Sequence, residues 1–220
     1  MANVYGLDTS VYPGKPTLDW YWWKCDFRFT GFYLGPAPYH SDQSWMNARD
    51  ELAAHGWGFL PTFVGLQIGN RNLGAARGEK DGQQAARLMG QAGFPTQTIC
   101  YLDLENGTIP SGSYAAYIVA WVRTLLGADY VPGIYCSHRI ADWCRVHTPF
   151  LWTFRIPYRT SGLAFHPEDL PQGRLAAGAH ATQFRQNVFI RGNRTKIDLN
   201  VACVADPSNL ASVMHALCLS

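Results

Sequence analysis

The sequence predicts an α/β fold: a single (β/α)8-like, TIM-type barrel over residues 1–220, with some helices shortened or missing. Three observations predict it. Apolar runs of strand length recur eight times, the number that closes such a barrel. Helical patterns separate most of them, as in a parallel α/β sheet. The runs are nearly continuous rather than alternating, as in strands covered on both faces. A chain of 220 residues is short for a full barrel, so some helices must be reduced.

Taken in order, "VYGLDTS" (4–10) reads as the first strand and "FRFTGFYLG" (27–35) as the second, ending at Gly35-Pro36. "SWMNARDELAAHG" (44–56) is helical, with Ser44 as N-cap and Gly56 as terminator. "WGFLPTFVGL" (57–66) is the third strand, followed by an amphipathic helix over 78–93. "TICYLDLE" (98–105) is the fourth, then a helix over 111–127 with a clear apolar stripe. "YVPGIYCS" (130–137) is the fifth, with a short helix at "RIADWCRV". "FLWTFRIP" (150–157), "HATQF" (180–184) and "KIDLNVACV" (196–204) complete the set, and 207–218 is a closing helix. The Pro- and Gly-punctuated segment 158–179 reads as an irregular loop.

Composition bounds the function. Hydrophobic residues make up 47% and charged residues 15%, which is globular rather than disordered. The net charge of +2, with no Lys/Arg run, gives no nucleic-acid footprint. No stretch of 18 apolar residues suggests a transmembrane helix. "MANVYGLDTS" has no basic region leading into an apolar core, so no secretory signal is read there.

Cys25, Cys100, Cys136, Cys144, Cys203 and Cys218 include no CxxC pair, and most are expected to be free thiols. Cys136, His138, Cys144 and His147 fall close together, but their spacing fits no common zinc module, so no metal is expected there. Among Trp20, Trp22 and Trp23, at least one should reach the surface, either as a sugar platform or as helix packing. His180 is read as a surface residue.

The acids raise the sharper question. In "YLDLEN", Asp103 and Glu105 lie two positions apart and share a strand face. Asp8 ends the first strand, and Asp198 with Asn200 lies in the eighth. In a parallel barrel all these strand ends meet on one rim, where such folds carry their sites. Two chemistries want such a cluster: glycoside hydrolysis by paired carboxylates, or an oxygen-ligand site for a hard cation. Strand-end acids also cap helices, but four together from three strands fit that poorly.

"GLDTSVY", "YLDLEN" and "KIDLNV" resemble, in this order, the acidic motifs of family 25 glycoside hydrolases, lysozymes that cleave peptidoglycan. "TQF" resembles that family's penultimate strand, with Thr182 in place of a Trp. The wording of the strands, "TGFYLG" above all, is closer still to the glycoside-hydrolase-like domain of unknown function 1906. The resemblance implies Glu105 as the catalytic acid and Asp103 as the carboxylate that assists the substrate's N-acetyl group. It implies Asp8 and Asp198 as rim acids that hold Glu105 in its working protonation state. The expected substrate contacts are Arg155, Gln183, Trp152, Tyr12 and Asn200. Arg155 and Tyr12 depart from the family pattern, and Arg155 could grip a substrate carboxylate or pair with a rim acid.

The reading is a lysozyme-like glycosidase acting on cell-wall polysaccharide, without a cofactor. Its rivals are a glycan-binding barrel without turnover and a metal-dependent hydrolase. A monomer made in the cytoplasm and acting outside it by a non-classical route is expected, with a secretion machine or an immunity protein as further partners.

Overall fold

The computed structural model describes residues 3–157 and 161–218, with side chains described up to His215 and Ala216 in the last helix. Parallel strands follow one another around the sheet: β1 (Val4–Asp8), β2 (Phe29–Tyr33), β3 (Gly58–Phe63), β4 (Ile99–Leu104), β5 (Val131–Ser137) and β6 (Leu151–Phe154). β8 (Ala181–Ile190) pairs with β6, and β9 (Ile197–Ala202) joins β8 to β1. Eight strands thereby close a barrel, and the two-residue β7 (Ala164–Phe165) pairs with β8 outside it.

One strand corrects the all-parallel expectation. β9 runs antiparallel to both neighbours. The sequence ends the seventh strand at residue 184, but β8 continues to Ile190 through two register shifts, with Asn187 at φ 55°. Only residues 191–196 remain before β9. A parallel return needs a crossover of about a dozen residues or more, so a link this short gives a reversed strand.

The helices are α1 (Lys15–Cys25), α2 (Arg49–His55), α3 (Ala75–Gln91), α4 (Gly112–Gly127), α5 (Ala141–Arg145) and α6 (Leu210–Cys218). α2 starts five residues after Ser44, whose Oγ accepts the Tyr12 N–H at 2.9 Å instead of capping. Gly56, in the left-handed region at φ 104°, terminates it as the sequence suggests. α3 and α4 approach closely at Gly78, where a Cβ would sit 2.2 Å from the Tyr117 carbonyl. Residues 161–179 carry no helix, only β7 and turns; 158–160 lie outside the described residues. Among the described residues no helix is long and apolar enough to cross a membrane.

Strand parity sorts the core into two shells. Leu102 and Leu104 point outward to the helices, as do Phe32 and Phe63, the last meeting Trp121 of α4 at 6.2 Å. Tyr101 points inward with Phe29, Leu60, Ile99 and Trp152, and Val213 of α6 joins this inner cluster. Each such fully buried aliphatic or Phe side chain contributes about 1.5–3 kcal/mol. His180 belongs to this interior rather than the surface: it is 1% exposed, with Nε2 2.5 Å from the Tyr101 hydroxyl. Tyr101 donates to the Pro207 carbonyl at 2.7 Å.

Cys25, Cys100, Cys136 and Cys144 are buried and Cys203 is half-buried, all five as free thiols; the Cys218 side chain lies outside the described residues.

Candidate active site

The barrel mouth is built by the same parity. Asp103, two residues after Tyr101, points inward and is 6% exposed. β4 ends at Leu104, and Glu105 leaves the strand with an exposed side chain, lining the same cleft as Asp103. Asp8 is the last residue of β1. Asp198 is the second residue of β9, and the reversal of that strand sets it opposite Asp8 in register. All four sequence-identified acids therefore meet at one rim, one of them by a route the parallel expectation misses.

Two chains of hydrogen bonds hold the cluster. Trp152 Nε1 donates to Asn200 Oδ1 at 2.9 Å, and Asn200 Nδ2 donates to Asp8 Oδ2 at 2.7 Å. Tyr135 donates its hydroxyl to Gln183 Oε1 at 2.5 Å. Gln183 Nε2 in turn lies between Asp198 Oδ2 at 2.5 Å and Asp8 Oδ2 at 3.4 Å. Tyr33 donates to Asp8 Oδ1 at 2.8 Å, and the Asn187 N–H to Asp198 Oδ1 at 2.6 Å. Asp103 Oδ1, by contrast, is buried with no hydrogen-bond partner among the described residues.

Burial dominates the electrostatics. It raises Asp8, against opposing hydrogen bonds from Asn200, Tyr33 and Gln183. It pushes Asp198 up to about 8, with Asp8 adding to the effect. It lifts Asp103 well above the usual carboxylate range, reinforced by Glu105 and then Asp8. Tyr33 and Tyr135 are also pushed up, first by burial and then by the nearby acids, which keeps them neutral donors.

A groove crosses the rim in two halves. One cavity of about 510 Å³ is lined by Asp8, Tyr33, Tyr39, His40, Asp103, Glu105 and Asp198, among others. The other, about 550 Å³, has Glu105, Tyr135, His138, Arg139, Phe154 and Gln183 in its wall. Glu105 and Gln186 line both, so Glu105 stands where the halves join.

Some expected contacts do not join the groove. Trp152 is 1% exposed beneath the mouth, its ring 4.3 Å from Tyr135; it braces Asn200 instead of meeting solvent. Asn200 is likewise a buried support, whereas Gln183, though 2% exposed, does reach the groove wall. Tyr12 packs on Trp45 at 4.9 Å and lines neither half. Arg155 lies just past β6 with an exposed side chain and lines neither half; its backbone N–H donates to Gln183 O at 3.0 Å. Of the tryptophans of α1, Trp22 packs against Trp57 at 5.2 Å, just before β3 begins, and Trp23, 74% exposed, against His55 at 6.2 Å, while Trp20 lies beside Gly192.

Other residues escape the sequence reading. Gln67 clamps the end of β4: its Nε2 donates to the Asp103 carbonyl at 2.8 Å, and its Oε1 accepts the Glu105 N–H at 3.2 Å. Its loop is tied down where Leu66 N–H donates to the Tyr117 hydroxyl at 3.1 Å. Tyr33 and Tyr135 were visible in principle, since each shares strand parity with the inner face.

A family model for the Rv2525c-like, glycoside hydrolase-like domain matches residues 21–202, which take in Asp103, Glu105 and Asp198. The chain belongs to that family. Comparison with curated proteins finds no match. Among solved structures, an uncharacterized B. stearothermophilus protein matches with TM-score 0.68 at 19% identity, over 90% of this chain and 95% of that one. The catalytic domain of endolysin ply40 from bacteriophage P40 of Listeria monocytogenes matches at 0.59 and 15%, over 96% and 98%. GHIP, a glycosyl hydrolase 25 of Streptococcus pneumoniae, matches at 0.58 and 13%, over 90% and 86%. At these identities the likeness is one of fold: a glycoside hydrolase-like barrel related to family 25 lysozymes.

As for a metal, no group of three or more His, Cys, Asp or Glu among the described residues is placed to hold one. Cys136 and Cys144 are buried, whereas His138 is exposed and His147 packs against Trp143 at 4.4 Å with the rings tilted by 60°.

Proposed function

We propose that the chain is a lysozyme-like glycosidase that cleaves cell-wall peptidoglycan, with Glu105 as proton donor and Asp103 as its assisting carboxyl. One observation carries the reading. A buried acid with an unpartnered oxygen, Asp103, faces the same cleft as an exposed acid two residues on, Glu105. A merely structural buried carboxyl would have its hydrogen bonds met.

In this reading the sugar chain lies along the groove, with the scissile bond beside Glu105. Glu105 gives its proton to the glycosidic oxygen, which leaves with the electron pair of the broken C–O bond. Positive character then grows at the anomeric carbon. Asp103, which burial holds protonated in the free cleft, is favoured as the anion by that charge and passes its proton to Glu105. Its charge is thus strongest when the transition state needs it. Water completes the cleavage, giving its hydroxyl to the carbon and its proton to Asp103. Asp8, Asp198, Tyr33 and Gln183 keep the floor of the cleft fixed.

The test is release of new reducing ends from purified peptidoglycan. Steady release supports the reading; binding without release favours a glycan-binding barrel. That second reading has its own observation: Glu105 is exposed, and the desolvating surroundings fall on Asp103.

A further inference from the structure

The two halves of the groove differ in charge. The half with Asp8, Asp103 and Asp198 is acidic. Among the described residues the other half has no acid in its wall beyond Glu105, and carries His138 and Arg139 from the turn after β5. Both side chains are exposed. Arg139 forms no ion pair among the described residues, whereas Arg145, one helix on, pairs with Asp142 at 2.6 Å.

Arg139 is also held beside the reacting centre. Its backbone N–H reaches Ser137 Oγ at 3.4 Å. Its Cδ lies 3.9 Å from where a Cβ on Gly107 would sit, so its stem runs along the loop that carries Glu105. His138 is anchored by Nδ1 at 3.3 Å from the Phe154 carbonyl. Phe154 and Ile156 add apolar wall. A cation without a protein partner, in a groove that already has an apolar wall for a sugar face, is suited to an anionic substituent on that sugar.

We propose that this half of the groove binds a carboxylate carried by the glycan, with Arg139 as its ion partner and His138 as an accessory contact. Arg139 then serves to select the acid-bearing sugar of the proposed peptidoglycan substrate over a neutral aminosugar. The carboxylate could belong to a lactyl ether on the sugar or to a peptide attached through it; the chemistry is shared. The proposal rests on the glycosidase reading for where the sugar lies, but the charge preference is a separate property. It moves the role that the sequence suggests for Arg155 to Arg139.

The experiment is calorimetric titration of the parent, Arg139→Ala and Arg139→Lys with three tetrasaccharides. One carries free lactyl carboxylates, one carries peptide stems, and one is neutral chitotetraose. Turnover of each is measured in parallel. The parent should bind an acidic ligand about two- to fivefold more tightly than the neutral one, the range of an exposed ion pair, and added salt should narrow the gap. Arg139→Ala should erase the preference and Arg139→Lys restore part of it. Which acidic ligand shows the preference identifies the carboxylate. A parent that binds all three alike, or none, overturns the proposal, as does an Arg139→Ala protein that keeps the preference. Preference without turnover upholds this site and sinks the glycosidase reading; turnover without preference does the reverse.

Discussion

Asp8 and Asp198 are direct partners in the antiparallel ladder of β1 and β9, so two carboxyls stand opposite each other at the inner mouth of the barrel. Like charges so placed oppose joint ionisation. Burial, with Asp8 beside it, holds Asp198 up to about 8. In the unfolded chain a carboxyl titrates near 4. The folded state therefore holds this proton more tightly, and the stability it contributes is full below about pH 4 and lost as pH rises towards about 8.

Asp198→Asn should accordingly gain on the parent as pH rises. Asn keeps the acceptor for the Asn187 N–H but turns an amide towards Gln183, so part of the gain is lost. Denaturant unfolding of both proteins from pH 4 to 9 checks this. The difference should grow by up to a few kcal/mol, mostly between pH 4 and 8; a difference flat with pH would contradict it.

Asp103→Asn should act likewise, since burial raises Asp103 too and its Oδ1 has no partner among the described residues. Removing its ionisation should stabilise the fold at pH 8 by about 1–3 kcal/mol. Turnover should fall at the same time, the trade expected where strain serves a site. Calorimetric melting beside a turnover assay reads both. Lower stability with turnover intact would count against the assigned role.

Gln67 holds the backbone on either side of Leu104, so Gln67→Ala should loosen Glu105 without unfolding the barrel. A loss of about ten- to hundredfold in kcat, with KM little changed, is the size expected for a misplaced catalytic group. If KM rises while kcat holds, Gln67 contacts substrate instead.

Trp152→Phe would leave the buried Asn200 Oδ1 without its donor. The expected cost is about 1–3 kcal/mol of stability, measured by denaturant unfolding. A platform role for Trp152 would show the opposite: lost glycan affinity with stability kept.

Asp8, Asp103 and Glu105 were legible at the rim because strand parity and chain order need only local information, whereas Asp198 reaches it only through the reversal of β9. Asp103 and Glu105 flank an outward Leu104, and that spacing survives any error in topology. The direction of β9 was not legible, since an apolar run reads the same both ways. It depends on how far β8 runs, and the irregular stretch around Arg185 to Val188 hides that. Arg155 and Trp152 illustrate the limit of a rim argument. A residue one step past a strand end can turn out to solvent, and a residue two steps before it lies under the mouth. Gln67 sits in a loop with no periodic signal, and only its two backbone contacts reveal it.

The account rests most on Glu105. Glu105→Gln preserves shape and hydrogen bonding but cannot give a carboxylic proton. The measurement is the rate of reducing-end release from purified peptidoglycan by parent and variant, with binding of the same material measured alongside. The account predicts a fall of about 10²–10⁴ in rate, the usual worth of general acid catalysis, with binding retained. A variant that digests the wall as fast as the parent would contradict it.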